Sequence, residues 1–331
     1  MGAVSLSGMT VTQAPPSPRG LPASGAARAV LIIGPVAAGL AILASLLGQV
    51  PSTTLEVPGW ALAVAIIALA VGIPHGAVDH LMLPRLPRGS RLLGLAAAYL
   101  AIAAAATAAI LIAPGPAFVV VIAMTVWHFG SGDVEAWRTL TGDPARPRGW
   151  QRLVLIIAAG GAPVVLPLTS PAAMTTLATL HPSLGSVWSA PGTTVLRLIV
   201  LAAVVIAALM LLQAARPMAA IHLGILAALG IFASPLLAFA VYFGAWHALR
   251  HTARLAELRY GTLTWSGIGR ITVLGLPALI ATVVVVGVLV VITGSLDALA
   301  PWLFVGLAVV WGLTVPHTTL VEWFDRCNSR P

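Results

Sequence analysis

Two histidines, His247 and His251, lie four residues apart in an apolar stretch of the chain. The segment from Tyr242 to His251 reads as part of one helix. On a helix, side chains four residues apart lie on one face, one turn from each other. Two imidazoles placed in this way can supply half of the ligands of a metal ion. The pair therefore predicts half of a metal site, and other segments must supply the rest.

Three other segments combine histidine with proline or glycine, namely PHGAVDH at 74–80, WHFGSGD at 127–133 and PHTTLVEW at 316–323. Proline and glycine open a helix locally, so that a neighbouring side chain or backbone can approach. We therefore take His75 and His128 as the best candidates to complete the site. On a regular helix His80 points about 140° away from His75, so it joins the site only if the turn is distorted. His317 is a further candidate.

Several other polar residues have less direct assignments. Four carboxylates could accept hydrogen bonds that fix the imidazole tautomers, or could instead be interfacial groups paired with arginines; they are Asp79, Asp133, Glu257 and Glu322. A single histidine in a membrane helix is usually a hydrogen-bond partner of a neighbouring helix. We assign His181 and His222 to that structural role.

Neutral imidazole ligands without thiolates suit iron, zinc, copper or nickel. Four histidines that leave open positions would fit a non-haem iron that binds oxygen. The HExxH pattern of zinc peptidases does not occur in the chain. The ligand types alone leave the choice of metal open.

The composition indicates what kind of protein positions these residues. The chain is 59% hydrophobic and only 8% charged, with a mean hydropathy of +1.02, whereas soluble domains carry about 25% charged residues. Long unbroken apolar runs favour helices over the short alternating strands of a β-barrel. We predict an all-α, multi-pass protein of the cell (inner) membrane. The net charge of +8 comes from arginines that flank the apolar runs, so nucleic acid is not an expected partner.

Ten apolar stretches have about the length needed to cross a bilayer. They cover residues 29–49, 59–80, 92–113, 116–130, 153–169, 194–214, 218–233, 235–256, 271–293 and 300–323. Residues 1–27 are rich in Gly, Ser, Pro and Ala and predict a disordered cytoplasmic tail. We expect residues 28–326 to form a single transmembrane catalytic bundle and residues 327–331 a C-terminal tail.

Along the chain, predicted connections that contain arginine alternate with predicted connections that contain none. The positive-inside rule then places both termini in the cytoplasm. The second, fourth, eighth and tenth spans run in the same direction, and each carries its histidines in its last third. Six histidines from four helices are therefore predicted to share one layer near the cytoplasmic side. Ionisable groups in spans usually face the bundle interior or a cavity, so one shared site is the simplest explanation.

The four motifs PHGAVDH, WHFGSGD, YFxxxHxxRH and PHTTLVEW, in this order, resemble the Brp/Blh family of bacterial and archaeal β-carotene 15,15′-dioxygenases. The resemblance extends over about residues 60–325. It implies an Fe(2+) enzyme that uses O2 to split the central double bond of β-carotene into two molecules of all-trans-retinal. Carried over by motif, the catalytic iron ligands would be His75, His128, His247 and His251. His80 and His317 would lie beside the iron or the substrate, and a retinal-binding rhodopsin would be a functional partner.

Two alternatives remain open at this point. A di-iron lipid or carotenoid hydroxylase or desaturase would also cluster histidines, but it would need a larger set and HxxHH patterns, which do not occur here. A non-enzymatic carotenoid- or retinal-binding protein, or a metal transporter, would also place polar groups inside a bundle. The number of irons per chain separates the first alternative from the dioxygenase, and histidine substitution separates the second.

Overall fold

A computed structural model describes residues 24–48, 59–78, 81, 89–143, 147, 149–187, 190–294 and 299–328. Every regular element among these residues is a helix. The helices are α1 (Gly25–Leu46), α2 (Gly59–Ala77), α3 (Ser90–Ile112), α4 (Pro114–Thr141), α5 (Gly149–Leu168), α6 (Pro171–Leu180), α7 (Pro182–Ser186), α8 (Ala190–Gln213), α9 (Pro217–Phe232), α10 (Pro235–Ala240), a π-helical segment (Val241–Ala248), α11 (Leu249–Tyr260), α12 (Trp265–Ile292) and α13 (Leu299–Asn328).

The outer helices of this bundle are too apolar for contact with water. Eight of the described helices are long and apolar enough to cross a membrane. Only 11% of the most apolar part of α3 and of α12 is buried in the protein, against 56% for α4 and for α5. Apolar surfaces of this extent require a lipid environment. The chain is an all-α, polytopic membrane protein, as its composition predicts.

Exposed tryptophans lie near the ends of the long helices. They are Trp60 on α2, Trp150 on α5, Trp265 on α12, and Trp302 and Trp323 on α13. Tryptophan is enriched where a membrane protein meets the headgroup region, because its ring is apolar and its N–H group is polar. Their positions agree with helices that end near the two membrane surfaces.

The predicted spans correspond to helical segments of the structure, with some different ends. The seventh span is α9, and the eighth is the continuous run from Pro235 to Tyr260. The fourth span was expected to end at residue 130, but α4 continues to Thr141. His128 therefore lies near the middle of its helix. The number of crossings and the side of each terminus stay predictions, and most of the predicted N-terminal tail lies outside the described residues.

Helices α4 and α5 approach each other closely because Gly130 on α4 faces Gly160 on α5. A Cβ atom added at Gly160 on α5 would lie 2.9 Å from the backbone nitrogen of Gly130 on α4. Close backbone approach at small residues is the usual way in which membrane helices pack. This contact anchors α4, which carries His128, against α5 at the centre of the bundle.

Candidate metal centre

Five buried histidines from separate parts of the chain meet inside the bundle. His75 lies on α2, His128 on α4, His247 in the π-helical segment, His251 on α11 and His317 on α13. Each is between 1% and 6% exposed. The ring centroids of contacting pairs lie 4.6 to 6.1 Å apart. The structure thus brings the four predicted ligands together and adds His317 as an equal neighbour.

The nitrogen atoms within this cluster are close enough to share one ion. One ligand atom from each of His75, His128 and His317 can be chosen so that all three lie within 4.8 Å of one another. The Nε2 atoms of His128 and His317 are 3.0 Å apart. Two imidazole nitrogens that bind one ion at about 2.1 Å and at a right angle would also lie about 3.0 Å apart. This three-histidine group could hold a metal ion.

The hydrogen bonds of the imidazoles support the same conclusion. The Nδ1 atom of His75 pairs with the carbonyl of Gly72 in its own helix, which leaves Nε2 available for a metal ion. The buried Nε2 atoms of His247 and His251 have no hydrogen-bond partner among the described residues. An unpaired buried nitrogen is costly, and each such atom in a native protein calls for an explanation. A transition-metal ion would provide one, and the donor set suits it.

The helical run that contains His247 and His251 is not a regular α-helix throughout. Residues Val241–Ala248 form a π-helical segment that ends just after His247, and His251 lies on α11. The two rings remain neighbours, with centroids 6.1 Å apart and planes at 23°. Short π-helical insertions are frequent at functional sites. Sequence periodicity does not reveal this local widening of the helix.

Glycines beside the histidines allow the cluster to close. A Cβ atom at Gly76 would lie 3.3 Å from Nδ1 of His317, and one at Gly132 would lie 3.1 Å from Cε1 of His247. In both places a glycine of one histidine motif faces the imidazole of another. This confirms the expectation that these motifs allow close approach.

Gly132→Ala is therefore expected to disturb the cluster. The added methyl group must displace the ring of His247 or shift α4, and such overpacking typically costs about 1–3 kcal/mol of stability. We expect a lower melting temperature and reduced metal content in the purified protein. Gly269→Ala on α12 is the matched control, because a Cβ atom there meets nothing within 4 Å. Equal metal content and stability in the two variants would contradict this assignment.

Two of the four predicted carboxylates, Asp133 and Glu322, have other partners among the described residues. The carboxylate of Glu322 lies 2.6 Å from the hydroxyl group of Ser131. Asp133 accepts a hydrogen bond of 3.1 Å from the hydroxyl group of Tyr242 and lies 3.9 Å from Arg250. Their influence on the imidazoles is therefore indirect. Asp79 and His80 lie outside the described residues.

The two histidines assigned to structural roles lie apart from the cluster. His222 on α9 contacts the guanidinium group of Arg250 at 3.1 Å. His181 accepts a hydrogen bond from the backbone N–H of Ser183 and so caps α7. The contacts of Arg250 with His222 and Asp133 were not predicted from the sequence. The one sequence feature that indicated a buried position for Arg250 was its place within the eighth span, before the predicted boundary at residue 256.

A buried ion pair adds to the packing near the cluster. Arg254 on α11 pairs with Asp325 on α13, and both side chains are more than nine-tenths buried. Removing one partner of such a pair leaves an uncompensated buried charge, which is strongly destabilising. The pair links the helix that carries His251 to the helix that carries His317.

The fold and the site define a class, namely α-helical membrane proteins with a buried histidine cluster able to hold a metal ion. Comparison with known proteins narrows this class. The family model described as beta-carotene 15,15'-dioxygenase matches residues 64–325, and the chain belongs to this family.

A curated relative agrees with the family assignment. The chain is 30% identical over 338 aligned positions to a probable beta-carotene 15,15'-dioxygenase, Blh, of Halobacterium salinarum. The alignment covers 92% of this chain and 94% of the relative. No solved structure matches the chain.

Proposed function

We propose that this protein is an iron(II) dioxygenase that cleaves β-carotene at its central 15,15′ double bond with O2 and releases two molecules of all-trans-retinal. The observation that carries the proposal is the buried cluster of five histidines in a chain of the β-carotene dioxygenase family. Bound iron would supply the activation of O2. His75, His128, His247 and His251 would hold the iron, with His317 as a further ligand.

The surroundings of the cluster suit a hydrocarbon substrate. The ring of Phe243 lies 5.6 Å from that of His75 and stacks on Phe239 at 5.5 Å. The ring of Phe129 lies 4.4 Å from that of His247. These aromatic side chains would orient a polyene beside the metal and exclude water from it. A membrane-embedded site could also take a carotenoid from the bilayer without passing it through water.

Expression in cells that accumulate β-carotene tests the proposed activity. We expect the orange colour to fade and retinal to appear in the extracts. The His247→Ala variant, made at equal membrane level, is expected to leave the carotene intact. Unchanged carotene in cells that contain folded, iron-loaded wild-type protein would overturn the proposal.

A di-iron hydroxylase or desaturase is the alternative with the most similar chemistry. The compact arrangement of five described histidines supports a single ion, since each ring lies within 6.1 Å of at least two others. Iron analysis of the purified protein should give one iron per chain. Two irons per chain would favour the alternative.

We also propose where in the cell the enzyme acts and which protein takes up its product. A multi-pass protein of the cell (inner) membrane would meet its carotenoid substrate in the same bilayer. Retinal released there could pass directly to a retinal-binding rhodopsin. A purely carotenoid-binding or metal-transporting protein would instead bind without forming retinal, and product analysis separates the two.

A further inference from the structure

A second pair of side chains is interleaved with the histidine pair on the same helical run. Trp246 and Arg250 each precede one of the two histidines by one residue, so they form their own i,i+4 pair on a neighbouring face. His247 and His251 face the histidine cluster. Trp246 and Arg250 instead line a cavity of about 90 Å³ between this helical run and helices α4, α5, α8 and α9.

Five buried polar atoms in the residues that line this cavity have no hydrogen-bond partner among the described residues. They are Oδ1 of Asp133, Nε1 of Trp137, Nε of Arg216, Nε1 of Trp246 and Nε of Arg250. Three of these residues are more than nine-tenths buried, with Trp246 at 0%, Arg250 at 3% and Asp133 at 6% exposure. Unpaired buried groups are rare in native proteins, so five around one cavity point to a bound polar species.

The contacts of Arg250, Asp133 and Trp246 leave part of their hydrogen-bonding capacity unused. The guanidinium group of Arg250 lies 3.1 Å from Nδ1 of His222 and stacks over the ring of Trp246 at 4.1 Å. Its distance to Oδ1 of Asp133 is 3.9 Å, which is too long for a hydrogen bond. The indole N–H group of Trp246 interacts with the carboxylate of Asp133, but the contact falls short of full hydrogen-bond geometry. Polar contacts longer than 3.5 Å are commonly bridged by water.

Each arginine that lines the cavity has a carboxylate beside it. Arg250 faces Asp133, and at the outer end Arg216 pairs with Asp143 at 3.0 Å. Arg138, which also lines the cavity, pairs with Glu135 at 3.1 Å. Because each guanidinium group has a carboxylate beside it, the wall carries little unbalanced charge. This pairing favours a small neutral ligand over an ion.

The unpaired atoms comprise four N–H donors and one carboxylate acceptor. Water accepts several hydrogen bonds and also donates, as this set requires. A volume of about 90 Å³ holds several water molecules, since one needs roughly 10–15 Å³ by the same measure. We propose that the cavity is a structural water site, and that its waters tie Trp246 and Arg250 to Asp133 and Trp137. Trp246 and Arg250 thereby act as positioning residues for the segment that bears His247 and His251.

A high-resolution structure of the purified holoprotein tests the site itself, independently of any activity. We expect ordered water within hydrogen-bonding distance of Nε1 of Trp246, Nε of Arg250 and Oδ1 of Asp133. A map that resolves water elsewhere in the protein interior but none in this cavity would overturn the proposal. The result does not depend on whether the protein cleaves carotene.

A cavity-filling variant tests the positioning role. Ala159→Leu, on the cavity wall, should displace water and increase the rate of iron loss to a chelator by about 10-fold or more. Ala117→Leu, on the same core but remote from the cavity, is the control for overpacking alone. Equal iron loss in the two variants, or a higher melting temperature for Ala159→Leu, would show a dry cavity and contradict the role.

Discussion

The His128→Ala variant is expected to lose both its iron and its β-carotene cleavage. His128 is 1% exposed, its Nε2 atom lies 3.0 Å from that of His317, and its ring lies 5.0 Å from that of His247. Alanine at this position of α4 has no donor atom to replace the imidazole nitrogen. Loss of an outer partner of a ligand typically costs 10–100-fold in metal affinity or activity, and loss of a ligand itself should exceed that.

Metal analysis and product chromatography on the same preparation measure both effects. His181→Ala is the matched control, because this histidine caps α7 away from the cluster. We expect the control to retain one iron per chain and normal retinal production. An His128→Ala variant that keeps its iron and its activity would exclude the cluster as the catalytic centre.

The His317→Ala variant should be impaired as severely as His75→Ala. Motif resemblance places His317 beside the site, but its ring lies 4.6 Å from His128, 5.2 Å from His75 and 5.8 Å from His251. A residue in that position is close enough to bind an ion held by the cluster. The expected result is loss of most bound iron, together with a changed electronic spectrum of any iron that remains.

The control for this helix is Thr314→Ala, because within the described part of the chain the hydroxyl group of Thr314 donates to the Val310 carbonyl in its own helix. Iron content and spectrum should be unchanged in the control. If His317→Ala binds iron normally but turns over β-carotene more slowly, His317 contacts the substrate and the metal set is the four-histidine one.

Much of the fold follows from simple properties of the sequence. Long apolar stretches can only be satisfied as helices in a bilayer, so the helical segments and their order were predictable. Spacing and motif also identified the helices that meet, since His75, His128 and the His247–His251 pair do lie together. The helix ends were less predictable, because α4 continues past its apolar part to Thr141.

Other features depend on contacts that no local pattern contains. The π-helical segment is packed against α2, where a Cβ atom at Gly244 would lie 2.9 Å from Cα of Ala68. The approach of His317 depends on Gly76, which comes from a distant part of the chain. The contacts of Arg250 with Asp133 and His222 join three elements far apart in sequence. Such tertiary arrangements require the folded structure.

The amount of retinal that the purified, iron-loaded protein forms for each β-carotene consumed tests the proposed reaction most directly. We expect two molecules of all-trans-retinal per β-carotene, with O2 consumed and with no product from the His128→Ala variant. Chromatography of the reaction mixture gives this ratio. Intact β-carotene in the presence of folded, iron-loaded protein, or a hydroxylated carotenoid in place of retinal, would contradict central cleavage.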